Sequence, residues 1–368
     1  MWLKSFFTTV AVLAMTVAAQ AQICIPTVTV QNGVAVNIGL IDTNGDGMTD
    51  LVAAQVQLSD FLVAARNHCD NKPLRFGLRK AGQGAGMPTD TVVQFKCDEL
   101  GQQNVEVWVR NAQGLMNMVQ TYVFVLNYNA CGGNPPAVST ACTPDVLAPT
   151  IIARNGLATY VRIVGDNPLG ATVHVSQFVA TVRDNCGGPF EYRIRKAGQG
   201  TGVPSETEVT FNCANELGQQ NVEIWVGDAS GNWAYALTYV VVQDNFAGTC
   251  DDPPTPVPAG CSPDQTRPYL VVRDGLAQSI NYPEGGKHTR VYVNDFIVTA
   301  TDECSPFVDI RISKASQNPT LPPPGQTHLL FTCNELGQQN VEIWLMDAAG
   351  NWTFVQTYIL IQDNDESC

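Results

Sequence analysis

The residues best suited to chemistry form the run Asp42-Thr43-Asn44-Gly45-Asp46-Gly47-Met48-Thr49-Asp50. Side-chain oxygens at positions 1, 3, 5 and 9, a backbone carbonyl at position 7 (Met48) and glycine at position 6 follow the ligand order of an EF-hand Ca2+ loop. Position 12 is Ala53 rather than a bidentate glutamate, and the flanking residues favour strands. Two readings stand side by side. One is a structural Ca2+ site in the first repeat, held by Asp42, Asn44, Asp46, Met48 and Asp50; the other is a polar hairpin tip, because Asn, Asp and Gly also dominate turns. No other cofactor is expected.

A second set of candidates is aromatic. Trp108, Trp225 and Trp344 share strand faces with Glu106, Glu223 and Glu342, opposite alternating aliphatic residues. Exposed, they would stack on sugars or bury against a protein partner; the competing expectation is that each packs against its own sheet. The runs Arg79 to Gly86 and Arg195 to Gly202 have the glycine content of a phosphate loop, but a proline and another strand follow where a helix N-terminus is required. A long loop between strands is the expectation. Asn351-Trp352-Thr353 fits the glycosylation sequon. The acids recur in turns and on strand faces, and the histidines do not recur in register, so no convergent catalytic group is expected and the chain is read as non-enzymatic.

The elements that position these residues are organised by twelve cysteines. Cys24, Cys69, Cys97 and Cys131 are followed by Cys142, Cys186, Cys213 and Cys250, then by Cys261, Cys304, Cys333 and Cys368. The steps of 118 and 119 residues from Cys24 to Cys142 to Cys261 mark a domain-sized repeat. Cys97 to Trp108, Cys213 to Trp225 and Cys333 to Trp344 carry nearly the same letters, CNELGQQNVEIW in the third copy. No C-x-x-C pair is present, which disfavours zinc and favours disulfides in an oxidising compartment.

Each repeat allows three connectivities. Loop closure favours Cys69-Cys97, Cys186-Cys213 and Cys304-Cys333 inside, with Cys24-Cys131, Cys142-Cys250 and Cys261-Cys368 tying the ends together. A rival joins Cys131 to Cys142 and Cys250 to Cys261, leaving Cys24 and Cys368 for bridges between chains.

Residues 1–21, with Lys4, a short apolar core and Ala19-Gln20-Ala21, read as a secretory signal peptide. The repeats then span 22–131, 142–250 and 261–368. Between them lie the proline-rich linkers 132–141 and 251–260, expected to act as semi-rigid spacers of at most ~31 Å. No segment is apolar for long enough to span a membrane as a helix. The net charge of −14 disfavours nucleic acid and anionic lipid as partners.

Within each repeat the period is two, as in Val105, Val107 and Val109, and Asp228 to Asn232 and Asp347 to Asn351 have hairpin-turn chemistry. This pattern predicts an all-β fold of three tandem immunoglobulin-like β-sandwich domains with disulfides.

Asp184-Asn185-Cys186, the block Phe211 to Val222, Asp228-x-x-Gly231-Asn232 and the ending Val242-Gln243-Asp244-Asn245 resemble the hyalin-repeat (HYR-like) immunoglobulin-type modules of secreted Bacteroidota multidomain proteins. Repeat one departs from the pattern with Arg110-Asn111 and Leu115, so its turn is expected to differ. The chain ends at Cys368 without the C-terminal sorting domain of many such proteins. The resemblance implies an extracellular module used in adhesion or spacing. The resulting expectation is a secreted or cell-surface structural and adhesion-type protein, with an extracellular protein, a glycan or another copy as partner. The alternative is a glycan- or protein-binding module using the Trp faces or loops, with a Ca2+-stabilised first repeat.

Overall fold

Runs of β-branched and aromatic residues, broken by Asx-Gly and proline, give strands throughout. The computed structural model describes residues 25–68, 70–127, 130–132, 137–164, 167–245, 250, 261–280, 287–304, 308–316, 319–364, 366 and 368. The signal-peptide segment, Cys24, Cys69 and the linker 251–260 lie outside the described residues.

Repeat one contains β1 (Thr27–Gln31), β2 (Val34–Asn37), β3 (Gly39–Ile41), β4 (Leu51–Gln57), a helical turn α1 (Leu58–Phe61) and β5 (Leu62–Arg66). It continues with β6 (Arg75–Lys80), β7 (Val92–Lys96), β8 (Gly101–Arg110) and β9 (Met116–Leu126). Repeat two has β10 (Thr150–Arg154), β11 (Leu157–Tyr160), β12 (Arg162–Val164), β13 (Asn167–His174), α2 (Val175–Phe178) and β14 (Val179–Arg183). Its later strands are β15 (Glu191–Lys196), β16 (Glu208–Asn212), β17 (Gly218–Gly227) and β18 (Trp233–Gln243). Repeat three begins with β19 (Tyr269–Arg273), β20 (Leu276–Ser279), β21 (His288–Tyr292) and β22 (Ile297–Thr301). It ends with β23 (Val308–Lys314), β24 (His328–Thr332), β25 (Gly337–Asp347) and β26 (Trp352–Gln362).

The chain is an all-β protein of immunoglobulin-like β-sandwiches. Each repeat pairs its second strand in parallel with its last: β2 with β9, β11 with β18 and β20 with β26. Alternation fills the cores, so Val105, Val107, Val109, Val222, Ile224, Val226, Val341, Ile343 and Leu345 are all fully buried.

The repeats are not beads on a string. Each large sheet takes four strands from one repeat and two from another: β6-β8-β9-β2 continues into β10-β14, β15-β17-β18-β11 into β19-β22, and β23-β25-β26-β20 into β1-β5. Repeat one thus joins two, two joins three, and three returns to one. The array is a closed ring with threefold pseudosymmetry. Spacer behaviour is also absent from the described part of the first linker. Thr49 N–H donates to the Val138 carbonyl at 2.8 Å and Thr140 N–H to the Gly47 carbonyl at 2.9 Å, fastening the linker to the Asp42–Asp50 loop.

The sulfur bridges differ from both sequence expectations. They join Cys97–Cys131, Cys142–Cys186, Cys213–Cys250, Cys261–Cys304 and Cys333–Cys368. Cys24-Cys131, Cys69-Cys97, Cys142-Cys250, Cys186-Cys213, Cys261-Cys368 and Cys304-Cys333 are therefore replaced, as are the bridges across the linkers. The cause is strand register. Thr150 opposes Arg183, which carries Cys142 to Cys186, and Gly218 opposes Val242, which carries Cys213 to Cys250. Loop-closure entropy counts residues and does not see register.

Candidate functional site

The ring closes on three short turns: Asn32-Gly33, Asn155-Gly156 and Asp274-Gly275. Their glycines have φ of +102°, +104° and +101°. A β-carbon there would lie 2.4–2.5 Å from the ring of Tyr122, Tyr239 or Tyr358 in the same repeat, so only glycine fits. Thr121, Thr238 and Thr357, each just before its tyrosine, accept the glycine N–H at 2.9, 3.1 and 3.1 Å.

Each tyrosine hydroxyl then reaches the next repeat. Asn155 donates to Tyr122 at 2.6 Å and Asn32 to Tyr358 at 3.0 Å, while the Tyr239 hydroxyl bonds the Asp274 carboxyl. A backbone cycle runs beside it: Asn32 N–H to the Gly275 carbonyl, Asp274 N–H to Gly156 and Asn155 N–H to Gly33, at 3.2, 3.2 and 3.4 Å. Burial raises all three phenols above their ordinary range, Tyr358 to about 12. Sequence reading missed this axis, although the recurrence of Asx-Gly and Thr-Tyr in every repeat was a usable signal.

Outside the axis, a clamp spans each junction. The buried Asp60 accepts from Thr181 at 2.9 Å and from Arg183. Asp295, also buried, receives Arg66 through two bonds of 3.0 and 2.7 Å. At the equivalent place Gln177 donates to Thr299 at 2.9 Å and to Tyr269 at 3.2 Å.

The Asp42–Asp50 loop joins β3 to β4, as the hairpin-tip reading requires. Asp42 accepts the N–H groups of Asn44, Gly45 and Gly47 at 3.2, 2.7 and 3.0 Å, and these bonds, led by Gly45, hold its carboxyl below the ordinary range. Asp46 accepts Met48 N–H at 2.8 Å, and Asp50 accepts Thr43 N–H at 3.0 Å. The loop's oxygens are of the hard type that suits Ca2+, but Asp42, Asp46 and Asp50 do not form one of the groupings of ligand atoms that close within 4.8 Å among the described residues. Those groupings are Asp264 with Asp302 and Asp347, and Asp145 with Asp184 and the oxidised Cys186. Burial raises the Asp184 carboxyl, and the charges of Asp145 and Asp228 add to the rise. Repeat one places Asn67 and Asn111 where the other repeats have acids.

The tryptophans are covered. Trp344 is 0% exposed and stacks on Phe354 at 4.6 Å, with its indole N–H on Ser313. Trp108 and Trp225 are half-buried beneath Arg79 and Arg195, and each donates to Glu106 or Glu223 at 3.0 Å. Of the two expectations, packing against the own sheet describes all three. Glu106 breaks the in-out alternation because it is fully served: burial alone would raise its pKa, but Gly82 N–H, Trp108 and Arg79 hold it below the ordinary range. The same bond from Gly82 commits the glycine-rich loop to a protein carboxylate. In repeat two the corresponding loop borders a cavity of about 520 Å³, whose Arg195 and Lys196 are already paired with Glu223 and Glu216.

Asn111 accepts from Gln113 and Leu115 N–H at 3.1 and 3.0 Å, the same turn that Asp228 builds, so repeat one does not differ there. The Asn351 amide is occupied by the Asp264 carbonyl and Asp347, and Thr353 is fully buried, which closes the sequon to modification in the folded chain.

On the outside, Leu100, Leu217 and Leu336 are 43, 40 and 41% exposed at equivalent places in the three repeats. Beside them Gln102, Gln219 and Gln338 donate to Asn104, Asn221 and Asn340 at 3.4, 3.4 and 3.1 Å.

No family model and no curated relative matches the chain. Solved structures similar to it include Drosophila N-cadherin EC1-4, at 10% identity over 93% of this chain and 76% of that one, with a TM-score of 0.25. Sidekick-1 immunoglobulin domains 1-4 give 10% identity, 92 and 76% coverage and 0.18. Mouse cadherin-23 EC22-24 gives 13%, 92 and 99% coverage and 0.19.

Proposed function

We propose that the chain is a secreted, non-catalytic adhesion-type scaffold whose ring presents three equivalent contact segments to a protein partner or another copy of itself. The observation that carries this reading is the Leu-Gly-Gln-Gln-Asn segment, exposed in all three repeats and identical in letters. Core packing does not require an exposed leucine beside a bonded amide pair, whereas a contact surface uses both. Rotational pseudosymmetry sets the three segments at one height around the axis. Weak contacts made three at a time gain avidity without new chemistry.

The disulfides support an oxidising, extracellular setting, each closing a loop worth about 4 kcal/mol on chain entropy. The repeats fit the HYR-like pattern, with the boundaries 22–131, 142–250 and 261–368 as sequence units that fold together. Ca2+ at the Asp42–Asp50 loop is the finer reading, supported by the oxygen donor set. Bound there, it would stiffen the point where the first linker is fastened. Titration calorimetry of the full chain with Ca2+ tests this, and no heat at millimolar metal rejects it.

The test of the main reading is adhesion of protein-coated beads to one another and to immobilised extracellular proteins. The triple variant L100S/L217S/L336S should keep its melting temperature and lose adhesion. Adhesion unchanged in that variant, or hydrolytic turnover by the native chain, contradicts the proposal.

A further inference from the structure

We infer that Asp274 makes the junction between repeats two and three a pH-responsive latch, tight in mildly acidic surroundings and loosened as the medium approaches neutrality. The axis has three equivalent positions, and two hold asparagine, whose amide is neutral at every pH. The third holds a carboxyl. Among the described residues, the titratable groups that face it are neutral phenols: Tyr239, which shares a hydrogen bond with it, and Tyr122 and Tyr358, whose ionisation its charge opposes. The nearest cations turn elsewhere. Arg273 donates to the carbonyls of Asp295 and Ile297, and Arg154 to those of Gln177 and Val179. An ionised Asp274 therefore sits half-buried without a counter-charge.

The same junction is the one whose outer clamp is an amide, Gln177, where the other two have Asp60 with Arg183 and Asp295 with Arg66. An ion pair does cross this junction, Arg162 with Glu303 at 3.6 Å, but its glutamate is largely exposed and neither charge acts on Asp274. Burial moves the carboxyl from its ordinary 3.8 up to about 6, with the Tyr239 bond acting in the opposite direction. A carboxyl raised by closure takes up a proton as the junction closes. The stabilisation is complete below about pH 4 and is lost as pH rises through about 6.

Amide hydrogen exchange, corrected for intrinsic rates, reads each junction separately. Between pH 4 and 7.5 the protection of the β11–β19 amides should fall roughly 50-fold relative to those of β2–β10 and β1–β20. Asp274→Asn should remove that difference, and adding Asn155→Asp to that variant should recreate it at β2–β10. Carbon-13 titration of Asp274 in the native chain should give a midpoint near 6. Equal pH dependence at all three junctions, no effect of Asp274→Asn, or a carboxyl midpoint below 5 overturns the inference.

Discussion

The junction between repeats two and three makes the same backbone contact as the other two junctions, with different side-chain chemistry. All three share an Asx-Gly turn, a tyrosine over the glycine and a threonine holding the glycine N–H. The outer clamp and the axial Asx change, and the junction between repeats two and three adds Arg162 on Glu303 at 3.6 Å. Sterics therefore set the geometry of the ring, while ion pairs, amides and one acid adjust how firmly each junction holds.

Changes to the shared part should cost most. Gly156→Ala must displace Tyr239 and adopt a left-handed conformation, so unfolding free energy should drop by about 4 kcal/mol in denaturant melts. Arg183→Ala leaves the buried Asp60 without its cation and should cost about 3 kcal/mol, reduced by the partial exposure of the arginine. Gln177→Ala removes neutral hydrogen bonds at the junction between repeats two and three and should cost about 1–2 kcal/mol. If Gln177→Ala proves more harmful than Arg183→Ala, the distinction between charged and neutral clamps fails. Tyr122→Phe keeps the ring over Gly33 and loses one bond to Asn155, for about 1 kcal/mol.

Much of the fold was legible in the letters. Valine alternation located the core faces, and the cysteine steps gave the repeats. The ring was not legible, because β1, β10 and β19 look like ordinary first strands and pairing partners are not written in local pattern. Cysteine pairing failed for the same reason, since register rather than loop length decides which sulfurs meet. At the candidate sites, Asp42 to Asp50 was correctly placed between strands. Whether Trp344 is open or covered was undecided, because the letters do not show that Trp352 and Phe354 lie over it. The clustering of Asp264, Asp302 and Asp347 was invisible across 83 residues of sequence.

Small-angle X-ray scattering of the mature chain tests the closed ring most directly. Packing of repeat three against repeat one predicts a radius of gyration of about 20–24 Å. Separate sandwiches on extended proline linkers would give more than about 40 Å, and a value in that range at native pH contradicts the account.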